Sequence, residues 1–270
     1  MITLLKHEIL RTRAVLGLVT GVAVLLALAG ALLGATGWPV LASLGTVLAY
    51  GAAFVLVPVA QILLAVHYWR SSYGRTGYLT QTLPVKGSTI YWSKMLWAWL
   101  VSLVGVVVAV GIALGATRLI ALGGGPLAVE VSLRDGWRSL VDVASWWGAV
   151  ALVLAVLSLV LIWPTQYFFA ASLGSEAPLN RMGAGGPIVV WLGVYLAIQV
   201  LTFASFAAVP LAIGVEGDGL ALVHFDLFAE MLAGSDPQVV PIGFLPALLL
   251  TTLVCLAWSV RSWGRRVSLV

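Results

Sequence analysis

Charged residues are scarce in this chain. Only 9% of its 270 residues are Asp, Glu, Lys or Arg, whereas 61% are hydrophobic, and the mean hydropathy is +1.09. A water-soluble domain of this composition would be covered in exposed apolar surface, which such domains avoid. In a lipid bilayer the same composition is ordinary. The scarcity of charge therefore excludes a soluble domain and predicts an integral membrane protein.

Residues for nucleotide, metal and catalytic chemistry are also few. The chain has three lysines, none of them preceded by glycine, so it lacks the Gly-Lys pair of a Walker A loop for ATP. One cysteine and three histidines in separate segments are too few for a structural zinc site. No Ser-His-Asp or paired-carboxylate pattern lies on a recognisable scaffold. The chain itself is expected to bind no cofactor and to be no enzyme.

Six long apolar stretches account for most of the sequence. Each has the 20 or so residues that a hydrocarbon core of about 30 Å requires, and a backbone in lipid must pair its own polar groups, as a helix does. We therefore predict an all-α integral membrane protein with a single transmembrane domain over residues 1–270. The predicted spans are 14–36, 40–66, 97–116, 145–169, 187–208 and 242–260.

Basic residues are unequally divided between the two ends of these spans. Eleven of the 14 lysines and arginines lie in residues 1–13, 67–96, 170–186 and 261–270. The positive-inside rule places that side in the cytoplasm, and with it both termini. The pI near 9.5 then reflects contact with anionic lipid headgroups, and no nucleic-acid partner is expected. The outer loops are 117–144 and 209–241.

The predicted spans carry amides but no charge in their interiors. Ion-coupled carriers usually keep ionisable residues there to hold the ion, and no charged ring or carbonyl filter indicates a channel. Gln61 and Gln166 lie close in sequence to Pro58 and Pro164, which can free backbone carbonyls. We assign Gln61, Gln166 and Gln199 to a candidate substrate path. Its apolar surroundings favour an amphipathic or lipid-like cargo.

The segment 67–96 is longer than a tight connection between two helices needs. Gly74 and Gly77 bracket a turn, Thr76 can cap a short helix, and Pro84 can end it. Its apolar face comprises Tyr78, Leu79 and Leu83. Such a helix either lies in the headgroups or inserts into a groove of a cytoplasmic partner.

This segment resembles the corresponding loop of ABC-2 type exporter permeases. The residues that carry the resemblance are Tyr73-Gly74, Gly77-Tyr78-Leu79, Leu83-Pro84-Val85 and Ser93-Lys94, with Ser93-Lys94 opening the third helix. The six spans and the N-terminal basic segment match that family as well. Arg75-Thr76 departs from it, because relatives often carry an acidic residue there.

The resemblance implies that transport and ATP hydrolysis are carried out by different subunits. Two six-span subunits, identical or different, would pair in a bacterial plasma membrane above two copies of a cytoplasmic ATPase that holds ATP and Mg²⁺. The short helix at about 76–83 would be the coupling helix that docks into the ATPase. The residues assigned to this contact are Lys6, Glu8, Tyr73, Gly74, Arg75, Thr76, Gly77, Tyr78, Leu79, Leu83 and Pro84. The alternatives are an ion-coupled or passive carrier and a non-transporting scaffold or immunity protein.

Three further features allow more than one interpretation. Residues 1–13 predict a basic interfacial helix, in which Glu8 is either a solvated charge or a contact to the ATPase. Residues 220–232 are apolar at three- and four-residue steps and predict one amphipathic helix that stops at Gly234. The glycine pairs serve packing within the subunit or between subunits. These pairs are Gly17/Gly21, Gly30/Gly34 and Gly111/Gly115.

Overall fold

The computed structural model describes residues 1–74, 77–82, 84–124, 133–177, 179–216, 219–234 and 239–265. Within these residues, six helices are long and apolar enough to cross a membrane, as the sequence predicted. The elements are α1 (Ile2–Gly34), α2 (Pro39–Ser72), α3 (Gly77–Gln81), α4 (Gly87–Leu122), α5 (Leu133–Leu173), a 3₁₀ turn (Leu179–Met182), α6 (Gly185–Ala208), β1 (Leu211–Glu216), β2 (Gly219–His224), α7 (Leu227–Ala233), β3 (Val240–Pro241) and α8 (Leu245–Arg265).

Helices α1 and α2 form the most closely packed pair of the fold. A Cβ atom added to Gly30 would lie 2.6 Å from the backbone nitrogen of Ala49, and one added to Gly34 would lie 2.9 Å from Cγ1 of Ile120 on α4. Small residues let helix backbones approach this closely in lipid, where dispersion contacts replace the hydrophobic effect between helices. The prediction of a packing role within the subunit is confirmed for Gly30 and Gly34.

The other two glycine pairs make no such close approach to the described residues of the chain. Cβ atoms added to Gly17, Gly21, Gly111 or Gly115 would meet no described atom within 4 Å. Packing within the subunit is therefore the wrong interpretation for these four positions. Their role between subunits stays a prediction.

All six long helices extend past the predicted spans at one end or both, and two of these differences concern predicted site residues. Residues 2–13, predicted as a separate interfacial segment, are the first turns of α1, which runs without interruption to Gly34. Helix α4 begins at Gly87, so Ser93 and Lys94 lie well inside it and are buried instead of opening it. Hydropathy indicates only where an apolar run ends. A helix can continue beyond that point when its polar residues find partners, so helix ends and span ends differ.

Helix α5 is broken at Ser145, where the predicted fourth span begins. Ser145 has φ 60° and ψ 168°, a backbone conformation that residues other than glycine rarely adopt. Its hydroxyl oxygen faces the backbone N–H of Gly148 at 3.5 Å and so sits at the start of the membrane-crossing part. The rings of Trp137 and Trp146 pack edge to face across the break, with centroids 5.3 Å apart.

The predicted helix over 220–232 is mostly wrong. Strands β1 and β2 form an antiparallel hairpin in which Leu211 pairs with His224, and β3 adds to the other edge of β1. Only α7 is helical, capped by the Asp226 carboxylate and ended by Gly234 at φ 66°. The Gly217-Asp218 dipeptide between two apolar runs is a hairpin signal in the sequence. The three- and four-residue spacing of apolar residues between Leu220 and Leu232 concealed it.

Candidate functional site

The short helix α3 presents its apolar side chains to the outside. Tyr78 is 55% exposed and Leu79 is 56% exposed, and Val85 beyond the helix is exposed as well. The opposite side of α3 is held on the end of α2, because the hydroxyl of Thr80 donates a hydrogen bond to the carbonyl oxygen of Ser71 at 2.7 Å. We name the exposed residues Tyr78, Leu79, Pro84 and Val85 the apolar tip.

A buried aromatic cluster lies directly behind this tip. The hydroxyl of Tyr68 on α2 lies 2.6 Å from the hydroxyl of Ser172 on α5 and accepts a hydrogen bond from Nε1 of Trp263 on α8 at 2.6 Å. The ring of Tyr68 stacks on Phe168 with centroids 4.1 Å apart. A fully satisfied polar group among packed rings fixes one arrangement of its neighbours. Tyr68 therefore joins three membrane helices at the end from which α3 projects.

Tyr73 belongs to this cluster and faces inward. Its ring packs edge-on to Tyr68 with centroids 5.9 Å apart, and its hydroxyl lies 3.4 Å from that of Tyr68. Burial, and secondarily the nearby Tyr68, raises the pKa of Tyr73 well above its ordinary value, so the phenol stays neutral. The sequence assigned Tyr73 to the partner surface. The structure places most of it against the chain's own core instead.

Glycines hold the segment close to the helices at both of its ends. A Cβ atom added to Gly74 would lie 2.7 Å from the carbonyl oxygen of Arg70, and one added to Gly87 would lie 2.6 Å from that of Trp263. Gly77 is buried and its N–H donates to the carbonyl oxygen of Gly74 at 2.7 Å. These glycines position the apolar tip, and their own atoms contribute little outward surface.

Glu8 forms an ion pair within the chain. Its Oε1 lies 2.6 Å from Nζ of Lys94, which also donates to the hydroxyl of Ser71 at 2.9 Å, and its Oε2 lies 3.7 Å from Nε2 of His67. The interpretation of Glu8 as a solvated charge is wrong, and the contact to an ATPase assigned to it is occupied by Lys94. Lys6, assigned to the same contact, is exposed.

Gln61 donates a hydrogen bond to a backbone carbonyl of α5 that Pro164 leaves without its helical donor. Pro164 has no N–H, so the carbonyl of Val160 one turn earlier loses its usual helical donor. The side-chain amide of Gln61 donates to that carbonyl at 3.0 Å and to the hydroxyl of Ser102 at 3.0 Å. Gln61 is 3% exposed. It joins α2, α4 and α5, and its amide is held by these structural hydrogen bonds.

The three glutamines assigned to a substrate path do not come together on one surface. Gln166 is buried on α5. Gln199 is exposed on α6, where its amide donates to the hydroxyl of Tyr195 on the same helix at 2.9 Å. Gln61 lies between other helices. A path lined by all three within one subunit therefore lacks geometric support.

Arg75, Thr76 and Leu83, also assigned to the partner surface, lie outside the described residues. Sequence reasoning missed Lys94, Ser71, Tyr68 and Trp263 as site residues. One signal for Lys94 was present: a lone lysine among apolar helical residues needs an acidic partner, and Glu8 and Glu176 are the two glutamates predicted on that side.

Comparison of the chain with protein-family models, with curated proteins and with solved structures found no match in any of the three.

Proposed function

We propose that this chain is the transmembrane permease subunit of an ATP-driven exporter, with the apolar tip docked into a cytoplasmic ATPase. The observation that carries the proposal is the contrast within one short segment. Tyr78 and Leu79 are exposed apolar side chains at the end of a five-residue helix, whereas the residues behind them are anchored in the membrane domain. An exposed apolar helix face on a fixed support is suited to a groove in a partner.

Three contacts support a mechanical role for this segment. Thr80 holds α3 to Ser71 on α2, and Ser71 is bonded to Lys94 on α4. Lys94 in turn is paired with Glu8 on α1. A movement of α3 imposed by a partner would therefore act on α1, α2 and α4 together. Energy released by ATP in the partner would reach the membrane through these contacts.

The remaining parts of the proposal follow from the charge distribution and the resemblance. The basic ends of the helices face the cytoplasm of a bacterial cell, and two such subunits pair with two ATPase subunits that bind ATP and Mg²⁺. The cargo is an amphipathic or lipid-like compound that passes between the subunits. Gly17, Gly21, Gly111 and Gly115 are available to that subunit contact, because a Cβ atom added at each would meet no described atom within 4 Å.

The docking step is tested with Leu79→Asp. The chain is coexpressed with the product of a neighbouring reading frame that carries the Gly-x-x-x-x-Gly-Lys-Ser/Thr motif of an ATPase, and the complex is recovered through a tag on the chain. Leu79 is exposed, so the substitution should leave the fold unchanged and abolish recovery of the ATPase. Leu232→Asp on α7 is the matched control, because Leu232 is also exposed but is separated from α3 by the length of α6, about 36 Å for 24 residues.

Normal recovery of the ATPase with Leu79→Asp would refute docking through the apolar tip. A chain that moves its cargo in vesicles at full rate without ATPase and ATP would refute the exporter proposal and favour a passive carrier. Stimulation of ATP hydrolysis by amphipathic compounds, lost in the Leu79→Asp variant, would support it.

A further inference from the structure

Two neighbouring cavities share Val66 and Arg70 in their walls, near the basic end of α2. The first, of about 380 Å³, lies between α2, α5 and α6. Its walls are apolar, with aromatic rings from Trp69, Tyr167 and Trp191, and Arg70 is its charged residue. The second, of about 130 Å³, lies between α1 and α2 and is lined at its polar end by Arg11, His67 and Arg70.

The larger cavity has the depth of a lipid acyl chain in one leaflet. Its lining on α2 extends from Ile62 to Arg70, nine residues whose eight steps along the helix amount to about 12 Å. Half of a hydrocarbon core of about 30 Å is about 15 Å. Helices α2 and α6 both pack on α5, and this cavity lies between them. Apolar walls facing the membrane are suited to hydrocarbon.

The smaller cleft supplies positive charge at the level of the headgroups. Arg11 and Arg70 are both exposed and line the same space. The described lining of the cleft contains these two arginines and no carboxylate, and Glu8, which lies beside His67, has its charge matched by Lys94 at 2.6 Å. Guanidinium groups bind phosphate oxygens through paired, charge-assisted hydrogen bonds. Arg70 and Val66 line both spaces, so the charged space and the apolar space lie next to each other around α2.

We propose that this pair of cavities is a binding site for one anionic phospholipid, with its phosphate at Arg11 and Arg70 and an acyl chain between α2 and α6. Such a lipid would fill the space between α2 and α6, two helices that both pack on α5. With the basic end in the cytoplasm, the lipid would come from the anionic cytoplasmic leaflet. The site goes beyond the proposed transport function and requires no ATPase.

The full chain, purified in detergent, is titrated with dioleoyl phosphatidylglycerol and with dioleoyl phosphatidylcholine, and the first bound lipid is followed by native mass spectrometry. We expect the first phosphatidylglycerol to bind about 25-fold more tightly than phosphatidylcholine, since each of the two arginines near the headgroups contributes about fivefold. Arg11→Gln with Arg70→Gln should reduce this preference to less than about twofold. The control Lys6→Gln with Lys86→Gln removes the same charge from exposed positions that line neither cavity, and should retain it.

A second pair of variants tests the acyl chain. Ile188 lines the larger cavity, whereas Val189 beside it on α6 does not, and both are exposed. Ile188→Trp should weaken binding of both lipids, and Val189→Trp should weaken neither. Unchanged elution and melting of each variant would show that the fold is retained.

Four results would overturn the proposal. These are equal affinity of the unaltered chain for the two lipids, an equal loss in the lysine control, unchanged binding with Ile188→Trp, and displacement of the lipid by inorganic phosphate alone. The last would identify a site for free anions. Because no ATPase is present, failure here is distinct from failure of the docking test with Leu79→Asp.

Discussion

Glu8 and Lys94, 86 residues apart in the sequence, form an ion pair with 2.6 Å between Oε1 and Nζ. Their side chains are 14% and 5% exposed, so the pair is largely removed from water. Burying two charges is costly, and their attraction offsets that cost only while both are present. The intact pair therefore adds little net stability of its own. It holds the first turns of α1 against α4 because separating the two residues would leave buried charges without a partner.

Glu8→Gln should destabilise the chain by about 3 kcal/mol, because it leaves the Lys94 ammonium buried without a counter-charge. Adding Lys94→Met to that variant should recover most of the loss, since no unpaired charge then remains. Unfolding in detergent, followed by tryptophan fluorescence, measures both. Lys6→Gln at an exposed position of the same helix is the control. Equal loss in the single and double variants would contradict the pairing.

Gln61→Leu should cost about 2 kcal/mol, because it leaves the buried carbonyl of Val160 and the hydroxyl of Ser102 without their donor. Pro164→Ala restores a backbone N–H for that carbonyl, so the double variant should be less destabilised than the sum of the two single ones. Thermal unfolding of the four chains forms a double-mutant cycle. Additive losses would show that Gln61 and Pro164 act independently. Gln199→Leu on the exposed face of α6 should change stability little.

Gly30→Ala should prevent close packing of α1 and α2, because the new methyl group would lie 2.6 Å from backbone atoms of α2. Gly21→Ala is the matched control on the same helix, where a Cβ atom meets no described atom within 4 Å, and alanine there should stabilise the helix by up to about 1 kcal/mol. Melting temperature and elution volume are measured together. If Gly21 lies at the contact between subunits, Gly21→Leu will shift the elution volume without unfolding the chain.

Tyr68→Phe should leave docking of the ATPase intact and reduce the stimulation of ATP hydrolysis by cargo. It keeps the ring that stacks on Phe168 and removes the hydroxyl that Trp263 and Ser172 contact. The apolar tip is unchanged, so an ATPase should still be recovered with the chain, while cargo-stimulated hydrolysis should fall. Tyr195→Phe, which loses one exposed hydroxyl contact to Gln199, should affect neither. Loss of ATPase recovery with Tyr68→Phe would place the docking surface elsewhere.

The candidate site was predictable only in its exposed part. Tyr78 and Leu79 stand in a short helix between two glycines and a proline, and local turn chemistry is enough to place them on the surface. The inward orientation of Tyr73 was not predictable, because it depends on Trp263 of α8 and on the packing of Tyr68, five residues earlier on α2, against α5 and α8. The same applies to Glu8, which has the composition of a surface charge until α1 and α4 are brought together.

Composition and hydropathy by themselves determined that this chain crosses a membrane, how many times, and roughly where, because the length of an apolar run is set by the thickness of the bilayer. They did not determine which polar residue meets which. Two of these contacts join residues that are distant in sequence: the pairing of Glu8 with Lys94, and the hydrogen bond from Gln61 to the carbonyl that Pro164 leaves without a donor. The hairpin of β1 and β2 is a choice between a helical and a strand periodicity in the same residues. Only tertiary packing decides such contacts, since the free energy of a buried polar group depends on what the fold places beside it.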